Sequence, residues 1–147
     1  MVRKMPPLEK VYEAFSAIGD ERIHVEDNTY LVYSSDKSKY YTVTEKDNVS
    51  RSDDTATYWQ GYPGYPVIAV LILQGKLPYN REVCEEMKGI PWKVLNDKYQ
   101  RDYAAAAEEA LQGLGTDTQK IREEAQKVYD ALQVLDIETG RGKRKKG

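Results

Sequence analysis

The first part of the chain repeats apolar side chains at helical spacing. Five of them lie on one helix face, at offsets of 0, 3, 4, 7 and 10 from the first: Leu8, Val11, Tyr12, Phe15 and Ile18. Pro6 and Pro7 precede this stretch and Gly19 follows it, an arrangement typical of helix ends. The pattern predicts an N-terminal helix whose apolar face packs against the rest of the protein.

From residue 21 the hydrophobic period changes from helical to alternating. Short runs of β-branched and aromatic residues are separated by polar turn signals about every ten residues, as in an antiparallel meander. Asp27 and Asn28 form one such signal, because both residue types tolerate the positive φ of a tight turn. We predict strands at 22–26, 29–34 and 39–45, and a fourth at either 49–52 or 55–60.

A stretch rich in aromatic residues and proline, YWQGYPGYPVIAVLILQGK, occupies residues 58–76. Its two Tyr-Pro steps interrupt any strand ladder, because proline has no N–H to donate and restricts the residue before it. The apolar run 67–73 that follows fits a buried strand. It fits equally well a short buried helix that starts at Pro66 and ends before Gly75.

The second half of the chain is predicted to be helical. Asn80 is a suitable N-cap for one helix, and Gly89 is its stop signal. A longer helical segment starts near Pro91 and continues through an alanine run, a composition that strongly favours helix, to Leu114.

A last helix is predicted after a capping box formed by Thr116 and Gln119. Its apolar positions form a narrow stripe: Ile121, Ala125, Val128, Leu132 and Leu135. The short link to the preceding helix predicts an antiparallel helical hairpin buried along this stripe. The alternative is that the stripe forms a dimer seam, so we expect a monomer or a homodimer.

The length of 147 residues is sufficient for one domain with its own core. Together the patterns predict a single α+β domain over residues 1–140, with an N-terminal helix, a meander of three to four strands and a helical C-terminal half. The single cysteine excludes an internal disulfide. No signal-peptide core is present, and no apolar run approaches the ~20 residues of a spanning helix. We therefore expect a cytoplasmic protein without membrane contact.

The formal net charge of -2 hides an uneven distribution. Residues 141–147 carry five basic side chains and no acidic one: Arg141, Lys143, Arg144, Lys145 and Lys146. Such a segment is predicted to be disordered and could neutralise the phosphates of a nucleic acid. The remainder of the chain is acidic and shows no element that reads a nucleic-acid sequence.

Few residues have the spacing of a catalytic or metal site. Cys84 lies among glutamates, which raise a thiol pKa and make the thiol less reactive. His24 is the only histidine, and Asp47, Asp53 and Asp54 form a local carboxylate group. An enzyme would require Asp53, Asp54 and His24 to converge in a pocket, which no spacing indicates. We predict no catalytic residue, no cofactor and no metal ligand.

Residues 29–75 resemble the SWIM zinc-finger family. The order is TYLVYSS, KYYTVT, SRS, a loop and then YPVIAVLILQGK. The Cys-x-Cys pair of that family maps to Ser50 and Ser52, and its Cys-x-His pair maps to Tyr65 and Val67. None of these four side chains is a normal zinc ligand. The resemblance therefore implies a form that has replaced its metal with packing, a helix at 67–73, and an interaction module for protein or nucleic acid.

The aromatic composition completes the functional prediction. The chain has 12 Tyr, 2 Trp and one Phe, and four of these rings form an aromatic patch: Tyr58, Trp59, Tyr62 and Tyr65. Tyr and Trp are enriched at binding hot spots. We predict a non-catalytic interaction module that contacts a protein or nucleic-acid partner through this patch. Nucleic-acid binding through the basic tail and an enzyme with an unrecognised site are the alternatives.

Overall fold

The computed structural model of the protein describes residues 2–143 and has the predicted α+β architecture. In chain order its elements are α1 (Glu9–Gly19), β1 (Ile23–Glu26), β2 (Thr29–Tyr33), β3 (Tyr40–Lys46), β4 (Val49–Ser52), a π-helix (Ala56–Gln60), α2 (Tyr65–Leu73), α3 (Arg81–Glu86), α4 (Trp92–Lys98), α5 (Tyr103–Gln112), α6 (Thr118–Val134) and β5 (Glu138–Arg141). None of the helices within residues 2–143 is long and apolar enough to cross a bilayer.

The sheet has the strand order β1-β2-β3-β4-β5, and its first four strands are the predicted antiparallel meander. The β1–β2 turn places Asp27 at a φ of 56°, and the β3–β4 turn places Asp47 and Asn48 at 53° and 62°. These residues accept the left-handed conformation that tight hairpin turns require. Of the two positions proposed for the fourth strand, 49–52 is correct and 55–60 is wrong, because most of the latter segment is the π-helix.

The fifth strand has no counterpart in the sequence prediction. Strand β5 pairs in parallel with β4, with Val49 opposite Glu138 and Ser52 opposite Arg141. Its sequence, ETGR, has no apolar alternation. The strand forms because Ile137 is buried in the core and the edge of β4 offers unpaired backbone groups to the returning chain. Arg141, which we predicted to begin the disordered tail, ends this strand instead.

Helix α2 resolves the ambiguity of the apolar run as a helix. Gly64 is its extended N-cap residue, Pro66 lies in its first turn, and residues 66–72 are all buried. A helix that is apolar on every side belongs in the centre of a core. Helix α2 packs against α1 on one side and against strands β3 and β4 on another.

The prediction of one continuous helix after Pro91 is wrong, because the structure divides this segment into α4 and α5. Gln100 and Arg101 have φ values of 52° and 66°, which end α4. Asp102 then caps α5 by accepting a hydrogen bond from the amide of Ala105 at 3.1 Å. The helical spacing continues across the break, so periodicity alone does not reveal it.

Helix α6 buries the predicted apolar stripe inside the chain. Ile121, Ala125, Val128 and Leu132 are buried, and α6 contacts α1 and α3. A salt bridge of 3.0 Å between Arg122 and Glu108 connects α6 to α5. The start of this helix departs from the prediction, because Asp117 rather than Thr116 is its N-cap and accepts from the amide of Gln119.

Helix α1 is buried along its length and is connected to α3 and α4 by one buried hydroxyl. Every residue from 10 to 18 is buried. The Ser16 hydroxyl donates to the carbonyl of Met87 at 2.6 Å and accepts from the indole Nε1 of Trp92 at 2.8 Å. At the end of α1, a Cβ atom built on Gly19 would lie 2.0 Å from the carbonyl oxygen of Cys84 in α3.

We expect Gly19→Ala to destabilise the fold by about 1–3 kcal/mol, because backbone would have to move to admit the methyl group. The effect opposes helix propensity, which favours alanine over glycine by about 1 kcal/mol. Chemical denaturation measures the change. Gly113→Ala is the matched control, because a Cβ there meets its nearest atom at 3.5 Å, an ordinary contact, and we expect it to be neutral or slightly stabilising. Unchanged or increased stability of Gly19→Ala would contradict the close packing of α1 on α3.

Candidate functional site

A cavity of about 250 Å³, lined by both charged and aromatic side chains, lies where α1, α4, the β2–β3 connection and the segment after β4 meet. Four ionisable side chains from these elements that line it are buried: Lys10, Glu13, Arg22 and Asp54. Aromatic rings of Tyr41, Tyr65 and Trp92 form part of its walls. Buried charged groups around a concave space are the usual mark of a binding or catalytic site.

Helix α1 supplies an ion pair to the cavity. Lys10 Nζ is 3.2 Å from Glu13 Oε2 and 4.1 Å from the ring centre of Tyr103. Asn96 Nδ2 donates to Glu13 Oε1 at 3.2 Å. Burial raises the pKa of Glu13, and the nearby ammonium of Lys10 offsets this only in part. Burial alone would lower the pKa of Lys10, but the Glu13 carboxylate and Tyr103 outweigh it, so the pKa of Lys10 is raised.

Arg22, on the link between α1 and β1, places a guanidinium group beside the cavity with only 2% of the residue exposed. Its Nε donates to Asp20 Oδ2 at 3.0 Å and its Nη1 to the carbonyl of Tyr33 at 2.7 Å. Its Nη2 makes no hydrogen bond to any residue in the range 2–143. An arginine fork with one free side is suited to an anionic group.

Tyr65, the first residue of α2, forms part of the cavity wall. Its hydroxyl donates to the Tyr33 carbonyl at 3.4 Å, and its ring centre is 5.9 Å from the Arg22 guanidinium carbon. Burial raises the pKa of Tyr65 strongly, and the carboxylates of Glu13 and Asp54 add to the rise while Arg22 opposes it. The phenol therefore stays protonated and acts as a neutral hydrogen-bonding wall.

Asp54, two residues after β4, brings an unsatisfied carboxyl oxygen to the cavity. It is 3% exposed, and its Oδ2 accepts from the amide of Thr57 at 3.1 Å. Its Oδ1 is buried and has no hydrogen-bond partner among the residues that the structure describes. Burial raises the pKa of Asp54, which the Ser52 hydroxyl and the Thr57 amide counteract only in part.

The loop before α2 is shaped around the Asp54 carboxylate. A Cβ atom on Gly64 would lie 2.0 Å from Asp54 Oδ2, so only glycine leaves room for this carboxylate. The amide of Gly64 also donates to Thr57 Oγ1 at 3.1 Å. Gly64, which precedes the second Tyr-Pro step of the sequence, therefore allows the start of α2 to lie close to the carboxylate.

Lysine side chains line the rest of the cavity. Lys93 Nζ is 3.6 Å from Asp97 Oδ2. Lys39 Nζ lies 5.6 Å from the ring centre of Tyr41 and makes no ion pair within the described part of the chain. The ionisable lining thus combines four cationic side chains with the carboxyl groups of Glu13, Asp54 and Asp97. Four cations against three carboxyl groups give the lining a positive formal charge.

The residues that an unrecognised enzyme would have needed do not come together. Asp53 points its Oδ1 at the amide of Thr42, which donates at 2.8 Å, while Asp54 lines the cavity. His24 lies on the edge strand β1 with its ring centre 5.6 Å from that of Tyr33. Cys84 is buried in α3, where burial first and Glu85 second raise its pKa to about 12.

The four rings of the predicted aromatic patch lie in different environments. Trp59 is 59% exposed, and its ring centre is 4.8 Å from that of half-buried Tyr58. Tyr62 is buried, with Lys4 Nζ 5.5 Å from its ring centre. Tyr65 belongs to the cavity. The exposed surface is therefore formed by Tyr58 and Trp59, and the prediction that this surface binds a partner stays a prediction.

The basic segment is described only in part. Arg141 Nε donates to the carbonyl of Tyr58 at 2.9 Å, and its guanidinium carbon is 4.9 Å from the ring centre of Tyr58 and 5.8 Å from that of Trp59. Lys143 is exposed. Arg144, Lys145 and Lys146 lie outside the described residues. Arg141 thus joins the basic segment to the exposed aromatic rings.

The four positions that map to zinc ligands in the SWIM family are on β4 and α2. Ser50 and Ser52 are buried on β4, and Tyr65 and Val67 lie in the first turn of α2. Within residues 2–143 no three His, Cys, Asp or Glu side chains are grouped as a metal site would need. The SWIM resemblance itself stays a prediction.

Sequence reasoning missed most of the cavity. Lys10 and Glu13 have ordinary spacing on a helix that was expected to face solvent on one side, and Arg22 follows a turn. Of the lining residues, the sequence prediction names only Asp54, as part of an acidic group, and Tyr65, as part of the aromatic patch. The one signal that bears on α1 is the run of small residues Ala14, Ser16 and Ala17 on its other faces, which is typical of a helix buried on several sides.

The comparison with known sequences places most of the chain in one family. The profile of the family described as "Uncharacterised conserved protein UCP014422" matches residues 3–138. No curated protein and no solved structure shows a significant match to the chain. The matched range includes every residue that lines the cavity. Because the match covers most of the chain, the protein belongs to the UCP014422 family.

Proposed function

We propose that the protein binds a small polar molecule in the cavity and that it acts as a non-catalytic binding domain. The observation that carries this proposal is the Asp54 carboxyl group, which is buried beside the cavity with one oxygen lacking a donor among residues 2–143. Buried polar atoms without partners are rare in folded proteins and cost about 1–3 kcal/mol each. A bound molecule with an N–H or O–H group would supply the missing hydrogen bond.

The rest of the network supports a binding role over a purely structural one. The Lys10–Glu13 pair is satisfied within the chain by Asn96 and Tyr103, as a structural ion pair would be. Oδ1 of Asp54 has no hydrogen-bond donor among the described residues, and Nη2 of Arg22 has no acceptor among them. Proteins commonly retain a group that a function requires even though that group lowers the free energy of unfolding.

The proposal is tested by a fragment screen on the full chain with amide-detected NMR. We expect binders whose shift changes cluster around Asp54 and Glu13. We expect Asp54→Asn to weaken them by about 10- to 100-fold, since a hydrogen bond to a buried charged group contributes about 1.5–3 kcal/mol. Asp47→Asn, in an exposed turn, is the matched control and should bind like the parent. The proposal fails if no fragment maps to the cavity or if Asp54→Asn binds as tightly as the parent.

Asp54 should also make folding stability depend on pH. Its pKa is raised in the folded protein above the ordinary value of 3.8, so the folded state holds this proton more tightly than the unfolded chain does. The resulting stabilisation is fully present below the ordinary pKa and is lost as the pH rises through the folded pKa. Glu13 contributes in the same direction.

We therefore expect urea denaturation from about pH 3.5 to about pH 8 to show a shallower decline of unfolding free energy in Asp54→Asn than in the parent. Asp47→Asn should follow the parent curve, because its side chain is exposed. Parallel curves for Asp54→Asn and the parent would show that the pKa of Asp54 is not raised.

A second candidate function is single-stranded nucleic-acid binding at the surface formed by Tyr58, Trp59 and Arg141. The observation that favours it is the stacking of the Arg141 guanidinium on two rings, one of them 59% exposed. Exposed aromatic rings beside basic side chains form stacking platforms for bases. The basic residues after Arg141 would add salt-dependent contacts with phosphates.

This candidate is tested by the anisotropy of a labelled oligonucleotide across a salt series. We expect binding that weakens with salt, and a loss of about 1–3 kcal/mol, or roughly 5- to 150-fold, in Trp59→Ala. Val134→Ala, on an exposed part of α6, is the control for loss of an exposed apolar side chain. The candidate is wrong if no binding is measured at low salt, or if the Trp59 variant and the control have the same affinity.

A further inference from the structure

The cavity presents unused hydrogen-bonding capacity of two kinds, and this identifies a class of ligand. The inference rests on the proposed small-molecule function. The lining offers free donors that carry positive charge, on Arg22, and free acceptors, on Asp54 and Asn96. A ligand that satisfies both must carry an anionic acceptor and a separate donor.

The donor side is Arg22. Its residue is 2% exposed, its Nε and Nη1 are occupied by Asp20 and the Tyr33 carbonyl, and its Nη2 is unoccupied by residues 2–143. Asp20 and the backbone hold the guanidinium in position, so a planar anion meets a fixed fork rather than a mobile side chain. Lys39 adds a second cation near this side.

The acceptor side is Asp54 together with Asn96. Both residues line the cavity. Oδ1 of Asp54 and Oδ1 of Asn96 are buried, and neither oxygen has a hydrogen-bond donor among the described residues. The amide nitrogen of Asn96 is already committed to Glu13, which leaves its carbonyl oxygen to accept. These two oxygens can accept a hydrogen bond from an N–H or O–H group on the ligand. They provide no donor for a second anionic group.

The size and walls of the cavity limit the rest of the ligand. A volume of about 250 Å³ is at or below the lower end of the range for small-molecule pockets. The rings of Tyr41 and Tyr65 meet edge to face with centres 6.5 Å apart, and Trp92 contributes a third ring. This space suits a compact molecule with one apolar substituent and excludes a dinucleotide.

We infer that the cavity binds a small organic acid that carries a hydroxyl or amino group, with its carboxylate on Arg22 and its donor group on Asp54. Phosphate esters fit less well, because a doubly charged group would have to lie close to Glu13 and Asp54. The carboxylate accepts a charge-assisted hydrogen bond from the free Nη2 of Arg22, and the hydroxyl or amino group supplies the hydrogen bond that Asp54 Oδ1 lacks.

The test titrates the full chain with three 2-hydroxy acids of increasing size: lactate, 2-hydroxyisovalerate and mandelate. Each is compared with its uncharged amide and with the acid that lacks the hydroxyl group, and alanine, valine and phenylglycine form the amino arm. We expect at least one acid to bind at least tenfold more tightly than both its amide and its unsubstituted acid. The hydroxy and amino arms decide which donor is preferred.

Two variants test which protein side chain binds each end of the ligand. Arg22→Lys should reduce the preference for the acid over its amide, and Asp54→Asn should reduce the preference for the hydroxy acid over the unsubstituted acid. If Arg22→Lys does not fold, as judged by circular dichroism, Lys39→Gln at the more exposed cation tests the charge preference instead. Retention of both preferences in all variants would overturn the assignment.

The outcomes separate this inference from the proposed function. If neutral or cationic fragments map to the cavity while no acid exceeds its amide, the acid class is wrong and the binding function stands. If no fragment of any class maps to the cavity, both are wrong. If an acid binds with shift changes far from Asp54 and Arg22, the assigned site is wrong.

Discussion

The burial of α1 on nearly all sides is the constraint on which the rest of this structure depends. A helix with only one apolar face would normally leave its polar face in water, but residues 10–18 of α1 are all buried. Its polar side chains must therefore find partners inside the protein. Ser16 does so through Met87 and Trp92, and these bonds hold α3 and α4 against α1. Gly19 extends the same contact by removing the side chain that would separate α1 from α3.

The cavity follows from the same constraint. Lys10 and Glu13 are charged residues on a buried helix, and they remain tolerable because they pair with each other and with side chains from α4 and α5. This pairing prevents the elements around them from closing into an apolar core. The remaining space lies between the ion pair, the guanidinium of Arg22 and the carboxyl group of Asp54. Asp54 reaches this position only because Gly64 leaves room for it.

The two proposed sites use the aromatic residues in different ways. Tyr65 belongs to the cavity, where burial keeps its phenol protonated, whereas Trp59 is exposed beside Arg141. One stretch of sequence therefore supplies a wall to an internal site and a ring to an external surface. The division arises because Tyr58 and Trp59 belong to the π-helix, Tyr65 begins α2, and the turn at Gly61, with a φ of 76°, lies between them.

The sequence by itself determined those features that depend on neighbouring residues. The N-terminal helix, the four-stranded meander and the helical C-terminal half follow from local periodicity and turn chemistry, since hydrophobic patterns are set within a few residues. Asn80 was recognised as a cap for the same reason. Tertiary structure decided between helix and strand for residues 65–73, and it alone decided that ETGR pairs with β4 and that α4 ends at Lys98. It alone also brought Lys10, Arg22 and Asp54 to one cavity, because such groups converge through packing between segments far apart in the chain, which no local pattern records.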